Sequence, residues 1–387
     1  MVRIGDICII NPKAQTFDED YLVSFVPMPK VGENGEFDAS DIKEYREVKK
    51  GFTYFQNGDV LFAKITPCME NGKGAIARNL KNGIGFGSTE FHVLRPIPDV
   101  VLGEWLYYLL SWTDFRKEAE KNMTGSAGQK RVPKSFLENY QVVVPSLDIQ
   151  EKQVNIFKNL DLLISLRKQQ LSKLDELVKS RFVEIFGLPG SDVFGWGVVP
   201  LGSVCDINPK KSQDPRLCSG MEVSFVPMPA VTECGEIDAT AVKEYDEVKT
   251  GFTYFAENDV LFAKITPCME NGKGAVAKGL HNGLGFGSTE FHVLRPISGK
   301  TNPYWVYTLT MFSQFREDAA RNMTGSAGQR RVPASFLENY RVAIPPIELQ
   351  EQFEAFVEQT NKSKFEIQKS LEKLETLKKA LMQKYFG

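Results

Sequence analysis

The sequence predicts an α+β protein made of two copies of one globular domain, each followed by a long helix. Residues 59–75 recur without change at 259–275. The same spacing of 200 residues holds to the last pair, Gly187 and Gly387. The chain is therefore an internal duplication, and its function is one that is carried out twice.

Length and composition fit a multidomain globular protein. The 387 residues are too many for one ordinary core, and 42% hydrophobic with 25% charged residues is typical of soluble proteins. The start of the chain has no apolar signal core, and no apolar run reaches the length that spans a bilayer. We therefore predict a cytoplasmic protein. A protein that binds nucleic acid by itself usually has an excess of basic residues, but the net charge here is −2. Any basic face must therefore be local, or the positive charge must come from partner subunits.

Cysteine and histidine are sparse. The six cysteines form no C-x-x-C pair, and with three histidines they give no metal-site spacing. We predict buried or unreactive thiols, and the sequence assigns no role to Cys218 and Cys234, which occur only in the second copy. His92 and His292 lie on a predicted strand, which favours structural roles. Neither a metal nor a cofactor is expected.

Short strands and helices are predicted over the first 145 residues. Apolar runs stopped by proline are typical of strands, whereas apolar residues at helical spacing and a capping-box pattern indicate helices. The second copy gains three residues in the polar run 211–220, a predicted surface loop. The predicted strands lie at 23–29, 59–65, 91–94 and 141–144, and the predicted helices at 104–122 and from Ser135 to Glu138.

Residues 146–187 have a different pattern, with dense charges of both signs and no proline. Positions at steps of three and four from Phe157 to Ile185 are mostly apolar, as in the seam of a coiled coil, with Arg167 and Arg181 as polar members. The mates from Val357 to Tyr385 keep the same frame, and each helix has polar seam residues where its mate is apolar. We predict two helices, each about 60 Å long, that pair antiparallel and relate the globules by a pseudo-twofold axis. The alternative is that each helix packs on its own domain.

Several segments occur in the same order in both copies. In the first copy they are Gly5–Lys13, Asp59–Lys64, Gly87–Pro96, Ala127–Lys130 and Val144–Glu151. Their order around two long helices resembles the specificity (S) subunit of type I restriction-modification enzymes, over essentially the whole chain. The resemblance implies target-recognition domains at 1–145 and 188–345, and long spacer helices at 146–187 and 346–387.

The resemblance also implies partners. Each recognition domain would read one half of a bipartite site in double-stranded DNA, and the helices would dock two modification (adenine methyltransferase) subunits. Motor-nuclease restriction subunits would join for cleavage. Methyl donor, ATP and magnesium would belong to those partners.

No catalytic motif is recognisable in the chain. A base methyltransferase needs an Asn/Asp-Pro-Pro-aromatic motif, but Asn11-Pro12 and Asn208-Pro209 are each followed by lysine. Gly83–Gly87 leads into a predicted strand rather than a helix, and Gly72–Gly74 lacks the remaining residues of a P-loop. We therefore predict a non-catalytic subunit.

Three polar loops carry the residue types that read base edges and contact phosphates. The alternative is that they are ordinary solvated loops. In the first copy the candidate DNA-binding residues are Lys64, Thr66, Glu70, Asn71, Lys73, Ser88, Thr89, Thr124, Ser126, Gln129, Lys130 and Arg131. In the second copy they are Lys264, Thr266, Glu270, Asn271, Lys273, Ser288, Thr289, Thr324, Ser326, Gln329, Arg330 and Arg331.

The two sets of candidates are nearly identical. Residues 51–96 and 251–296 differ at eight of 46 positions, and the candidates differ only at Lys130 and Arg330. We predict that the target is an interrupted palindrome of two like half-sites, with a gap of about one helical turn or less. The acidic balance favours an alternative, a twofold protein-interaction scaffold without DNA specificity. The missing motifs disfavour a self-sufficient DNA-modifying enzyme.

Overall fold

The computed structural model describes residues 1–126, 128–326 and 328–387. Ala127, part of the Ala127–Lys130 motif, and its mate Ala327 lie outside the described residues. The chain divides into two compact units, Met1–Arg167 with Ser370–Gly387, and Lys168–Lys369. Each unit contains one copy of the repeated domain and a segment of both long helices. The predicted α+β class with two repeated sheet-containing domains is confirmed.

The first copy contains ten strands and five short helices in its described part. The strands are β1 (Val2–Arg3), β2 (Cys8–Ile10), β3 (Leu22–Val26), β4 (Ile42–Glu44), β5 (Thr53–Gln56), β6 (Val60–Ala63), β7 (Gly74–Ile76), β8 (Ile84–Gly87), β9 (Phe91–Pro96) and β10 (Gln141–Val142). The helices are α1 (Ile4–Ile7), α2 (Tyr45–Val48), α3 (Gly103–Ser111), α4 (Thr113–Lys121) and α5 (Lys134–Asn139), and the long helix α6 (Leu147–Phe186) follows.

The second copy repeats this order. Its strands are β11 (Val198–Pro200), β12 (Cys205–Ile207), β13 (Glu222–Val226), β14 (Val242–Glu244), β15 (Thr253–Ala256), β16 (Val260–Ala263), β17 (Gly274–Val276), β18 (Leu284–Gly287), β19 (Phe291–Pro296) and β20 (Arg341–Ala343). Its helices are α7 (Tyr245–Val248), α8 (Pro303–Met311), α9 (Ser313–Arg321), α10 (Ala334–Asn339) and the long α11 (Ile347–Phe386). Short 3-10 turns lie at Met28–Lys30, Lys81–Gly83, Leu201–Ser203, Lys211–Gln213, Met228–Ala230 and His281–Gly283.

Two four-stranded sheets form the scaffold of each copy. In the first copy their strand orders are β2-β9-β6-β7 and β4-β3-β8-β5, and β3 runs parallel to β8. The second copy has the equivalent orders β12-β19-β16-β17 and β14-β13-β18-β15. A short antiparallel pair ties the start of each domain to its end, β1 with β10 and β11 with β20.

Strand β6 is apolar along its whole length because both of its faces are covered. All four of its residues are buried. Val60 and Phe62 join the cluster around Trp105 of α3, whereas Leu61 and Ala63 join the cluster around Phe55 on the opposite face. This alternation is the expected geometry of a strand. The first residues of the stretch that is repeated at 59–75 and 259–275 therefore lie at the centre of each domain core.

The buried carboxylate of Asp59 fixes the start of β6. Arg95 donates to both of its oxygens at 2.8 and 2.7 Å, and the backbone N–H of Gln56 donates to it at 2.8 Å. Asp259 and Arg295 form the same pair in the second copy. Because a buried charge is costly unless it is paired, the role of Asp59 is structural.

Two local predictions need correction. The helix predicted at 104–122 is two helices, because Trp112 adopts an extended conformation (φ −64°, ψ 131°) that separates α3 from α4. A short helix does follow Val132, but its N-cap is Pro133 and the Ser135 side chain does not cap it. The sequence predicts none of the strands β1, β2, β4, β5, β7 and β8.

The two long helices extend over the predicted residues. In the first unit the ring of Phe157 stacks on Phe386 with 6.0 Å between centroids, and Lys378 pairs with Asp161, so these segments run antiparallel. The first helix also packs on its own domain, since Trp105 Nε1 donates to Gln153 Oε1 at 2.7 Å. Both packing alternatives therefore hold within this unit.

The second unit shows the same helix pairing. Phe182 and Phe353 meet edge to face at 5.6 Å, and Lys364 pairs with Asp175. The pseudo-twofold relation between the two domains stays a prediction. None of the described helices combines the length and apolar character that a bilayer-spanning segment needs.

Candidate nucleic-acid interface

The three predicted loops come together beyond the end of β6. The N–H of Lys64 donates to the carbonyl of Glu90 at 2.9 Å, which joins the first loop to the second. The N–H of Thr66 donates to the carbonyl of Lys130 at 3.1 Å, and Ile65 forms a bridge with Arg131, which joins the first loop to the third. We call residues 64–73, 88–90 and the described part of 124–131 the loop cluster.

A bidentate ion pair holds the third loop to the second. Arg131 donates to both carboxylate oxygens of Glu90 at 2.8 and 2.9 Å, and a further nitrogen donates to the carbonyl of Gln129 at 3.2 Å. The guanidinium keeps the pKa of Glu90 below its usual value. In the second copy, Arg331 and Glu290 have the same distances. This guanidinium is therefore engaged within the domain.

A buried arginine of α4 forms a hydrogen bond to the backbone of the first loop. Arg116 of α4 is 8% exposed, donates to the carbonyl of Met69 at 2.7 Å, and lies over the ring of Phe62. Burial lowers its pKa to about 10. Arg316 bonds the carbonyl of Met269 in the same way. Sequence reasoning missed this residue, although an arginine on the apolar face of a helix, repeated in both copies, is a usable signal.

His92 secures the strand that leaves the loop cluster. Its Nε2 lies 2.8 Å from the carbonyl of Val132, which can only accept, so this nitrogen carries the proton. Its Nδ1 lies 3.1 Å from the Asn11 amide nitrogen, which donates to it. Burial lowers the pKa of His92, which keeps the ring neutral. The geometry agrees with the predicted structural role, and His292 repeats it with Val332.

The predicted residues divide into supporting and outward-facing groups. Half-buried members hold the cluster together: Thr66 Oγ1 donates to the Lys130 carbonyl at 3.4 Å, and Ser88 Oγ accepts from the N–H of Glu90 at 3.2 Å. Lys64, Lys73 and Arg131 are also half-buried. The exposed members in the first copy are Glu70, Asn71, Thr89, Thr124, Ser126, Gln129 and Lys130. DNA contact by any of them stays a prediction.

The second copy differs at one position. Its residues have the same exposure, except that Arg330 is half-buried and donates to the carbonyl of Ala320 at 2.7 Å, at the end of α9. Lys130 is exposed at the equivalent position. The outward-facing surface is otherwise made of the same side chains in both units.

The chain thus contains a repeated domain with one polar loop cluster in each unit. The family model for the type I restriction modification DNA specificity domain matches residues 1–176 and 194–379. The match covers most of the chain, so the chain belongs to this family.

Two curated relatives and one solved structure extend the comparison. The EcoAI and EcoEI type I restriction enzyme specificity subunits of Escherichia coli are 46% and 42% identical over 179 and 178 residues, each match covering 45% of this chain. The matched region spans 30% of the length of each relative. A chain from a structural study of type I restriction-modification system assembly and conformational transition aligns over 99% of this chain and 96% of its own, at 19% identity and a TM-score of 0.57, which shows a shared fold.

Proposed function

We propose that this chain is the non-catalytic DNA sequence-recognition subunit of a type I restriction-modification complex. The observation that carries the proposal is the meeting of three polar loops in one exposed surface, built in each unit from the same residues except Lys130 and Arg330. Family membership supports the same function. In this proposal the recognition domains are residues 1–145 and 188–345, and the spacer helices are 146–187 and 346–387.

The exposed side chains favour particular base contacts. Asn71 and Gln129 present amides, which pair with adenine in the major groove, and Glu70 presents a carboxylate, which accepts from cytosine. Lys130 and Thr124 suit phosphate contacts, which position the protein without specifying sequence. Arg131 is held by Glu90, so we assign it to supporting the loop rather than to reading guanine.

Two equal loop clusters should read two equal half-sites. We expect methylome sequencing of a host that carries this system to give an interrupted palindrome, with the same half-sequence on opposite strands. The spacing should be close to one turn of the duplex, ~10 base pairs or less. A methylated motif with two unrelated half-sequences would contradict equal reading by the two domains. Loss of the motif when this chain is deleted is the control that assigns specificity to it.

The proposed docking of methyltransferase subunits has a candidate surface on α6. Leu162, Leu163 and Leu166 are 57%, 43% and 44% exposed, away from the buried seam that contains Phe157 and Leu160. Exposed apolar side chains clustered on one surface are typical of protein interfaces. We assign this leucine surface to a partner subunit; motor-nuclease restriction subunits would add to the assembled complex.

Replacing Leu162, Leu163 and Leu166 by serine should weaken association with the methyltransferase subunit at least about tenfold, because apolar contact area is lost. Co-purification and analytical ultracentrifugation of the reconstituted complex would measure this. The mates in the second copy, Lys362, Ser363 and Glu366, are polar, so Lys362→Ala with Glu366→Ala is a matched control. Unchanged association of the serine variant would exclude this surface.

The second candidate function is a protein-interaction scaffold without DNA specificity. The net charge of −2 and the exposed leucine surface favour it. Binding of the assembled complex to motif DNA at increasing salt separates the two functions, because phosphate contacts release counterions and give a steep salt dependence. A scaffold would leave the affinity of the complex independent of the DNA sequence.

A further inference from the structure

An exposed aromatic residue adjoins the loop cluster in each unit. In the first copy the rings of Phe25 and Phe52 meet edge to face with 4.9 Å between centroids. The ammonium of Lys43 lies 4.3 Å from the centroid of Phe25. Phe52 is nevertheless 39% exposed. We call Phe25, Lys43 and Phe52 the aromatic patch.

Strand pairing places this patch beside the second loop of the cluster. Thr53 pairs with Gly87, the last residue of β8, in an antiparallel register, so Phe52 and Ser88 both come just beyond this last pair. Phe25 pairs with Phe86, the residue before Gly87, so its ring also lies near this end of β8. The aromatic patch therefore lies at the end of the sheet where the polar residues 88–90 begin.

The second copy keeps the patch while its surroundings change. Phe225 and Phe252 meet at 5.0 Å, the ammonium of Lys243 lies 4.4 Å from the Phe225 centroid, and Phe252 is 38% exposed. Nearby pairs such as Arg46/Asp246, Lys50/Thr250 and Gln56/Ala256 differ in charge or size. The patch thus follows the pattern of the loop cluster, whose outward residues are the same in both copies except at Lys130 and Arg330.

A half-exposed ring held next to a polar loop suits one feature of DNA. The major groove presents a single strongly apolar group on its base edges, the C5-methyl of thymine, and phenylalanine is among the residues that contact it. The edge-to-face contact with Phe25 holds the Phe52 ring in place, so little side-chain freedom is lost on binding.

We propose that Phe52 and Phe252 each contact the C5-methyl group of a thymine, one in each half of the target site. This inference rests on the proposed function and adds a specificity-determining residue to it. The polar candidates would read hydrogen-bonding groups, and the aromatic patch would read the apolar group next to them.

The test removes the methyl group from the DNA and the ring from the protein. The assembled complex, with its methyltransferase subunits, is bound to duplexes of the methylated motif in which each thymine in turn is replaced by deoxyuridine. At one position in each half-site, this replacement should weaken wild-type binding about fourfold, which corresponds to the free energy of burying one methyl group. Replacement at both positions should weaken binding about sixteenfold. The Phe52→Ala/Phe252→Ala variant should bind the thymine duplex at least as weakly as the wild type binds the duplex with both replacements. Deoxyuridine should not weaken the binding of this variant any further.

The controls separate the possible failures. Phe194→Ala removes another half-exposed ring, stacked on Trp196, and should keep the full sensitivity to deoxyuridine. The inference is overturned if the Phe52/Phe252 variant stays sensitive, or if no thymine matters to the wild type, a result that does not depend on how the variant folds. If the wild-type complex does not prefer motif DNA at all, the proposed function itself fails.

Discussion

Replacing Arg131 and Arg331 together by methionine is expected to weaken binding to the recognised DNA about a hundredfold. Each arginine donates two charge-assisted hydrogen bonds to a glutamate, Glu90 or Glu290, and such bonds are the strong ones in proteins. Losing one pair frees the third loop from the second, with an expected effect of about tenfold for each copy. Electrophoretic mobility shift or fluorescence anisotropy with the assembled complex measures this.

Variants that are substituted in only one of the two repeated domains test this prediction more specifically. Arg131→Met and Arg331→Met should have equal effects on affinity, because the two ion pairs have the same geometry, and the effects should add for sites that share no contacts. Exchanging the partners, as Glu90→Arg with Arg131→Glu, should recover part of the lost affinity, since the opposite charges remain adjacent.

The opposite assignment gives a different pattern. If Arg131 reads a guanine, Arg131→Met removes discrimination at one base position only, and the exchanged pair does not rescue it. That outcome would return Arg131 to the base-reading residues and leave Glu90 as its support. The comparison is informative because sequence reasoning grouped Arg131 with the DNA-contacting residues.

The sequence predicted the fold best where a single repeating apolar pattern extended over many residues. The two forty-residue helices followed from apolar steps of three and four in segments without an internal proline or glycine, and the structure gives Leu147–Phe186 and Ile347–Phe386. The break at Trp112 could not be read, because apolar residues continue at helical spacing on both sides of it. A short strand such as β2 is set by pairing with a distant strand, β9, which no local pattern reports.

The candidate site was also only partly predictable from the sequence. The loops were found by composition, since glycine with small polar residues marks exposed, closely approachable backbone. Their convergence depends on hydrogen bonds between residues far apart in sequence, such as Thr66 with Lys130 and Lys64 with Glu90. The role of Arg116 depends on a carbonyl at Met69 that the sequence does not place nearby. The sequence therefore predicts which residue types lie in the loops, whereas the role of each residue depends on its pairing with residues far away in the sequence.

Phe157→Ala should produce the largest loss of stability among the substitutions considered. Phe157 is fully buried, and its ring lies 4.8 Å from Tyr108 of α3, 5.9 Å from Tyr385 and 6.0 Å from Phe386 of the second long helix. Truncating a buried phenylalanine to alanine costs about 3–5 kcal/mol of unfolding free energy, because both the burial and the packing around the cavity are lost. Urea unfolding of the chain measures the cost.

Hydrogen exchange locates this loss within the chain. Amides of residues 102–115, which pack against the Phe157 segment, should lose more protection than their mates at 302–315, which serve as an internal reference. Phe365→Ala is the matched control: that ring is 66% exposed on α11, so its removal should change stability by no more than about 0.5 kcal/mol. A cost for Phe157→Ala as small as that of Phe365→Ala would mean that this helical segment does not pack on the first domain. The first unit would then lack the junction at which α3, α6 and α11 meet around one ring.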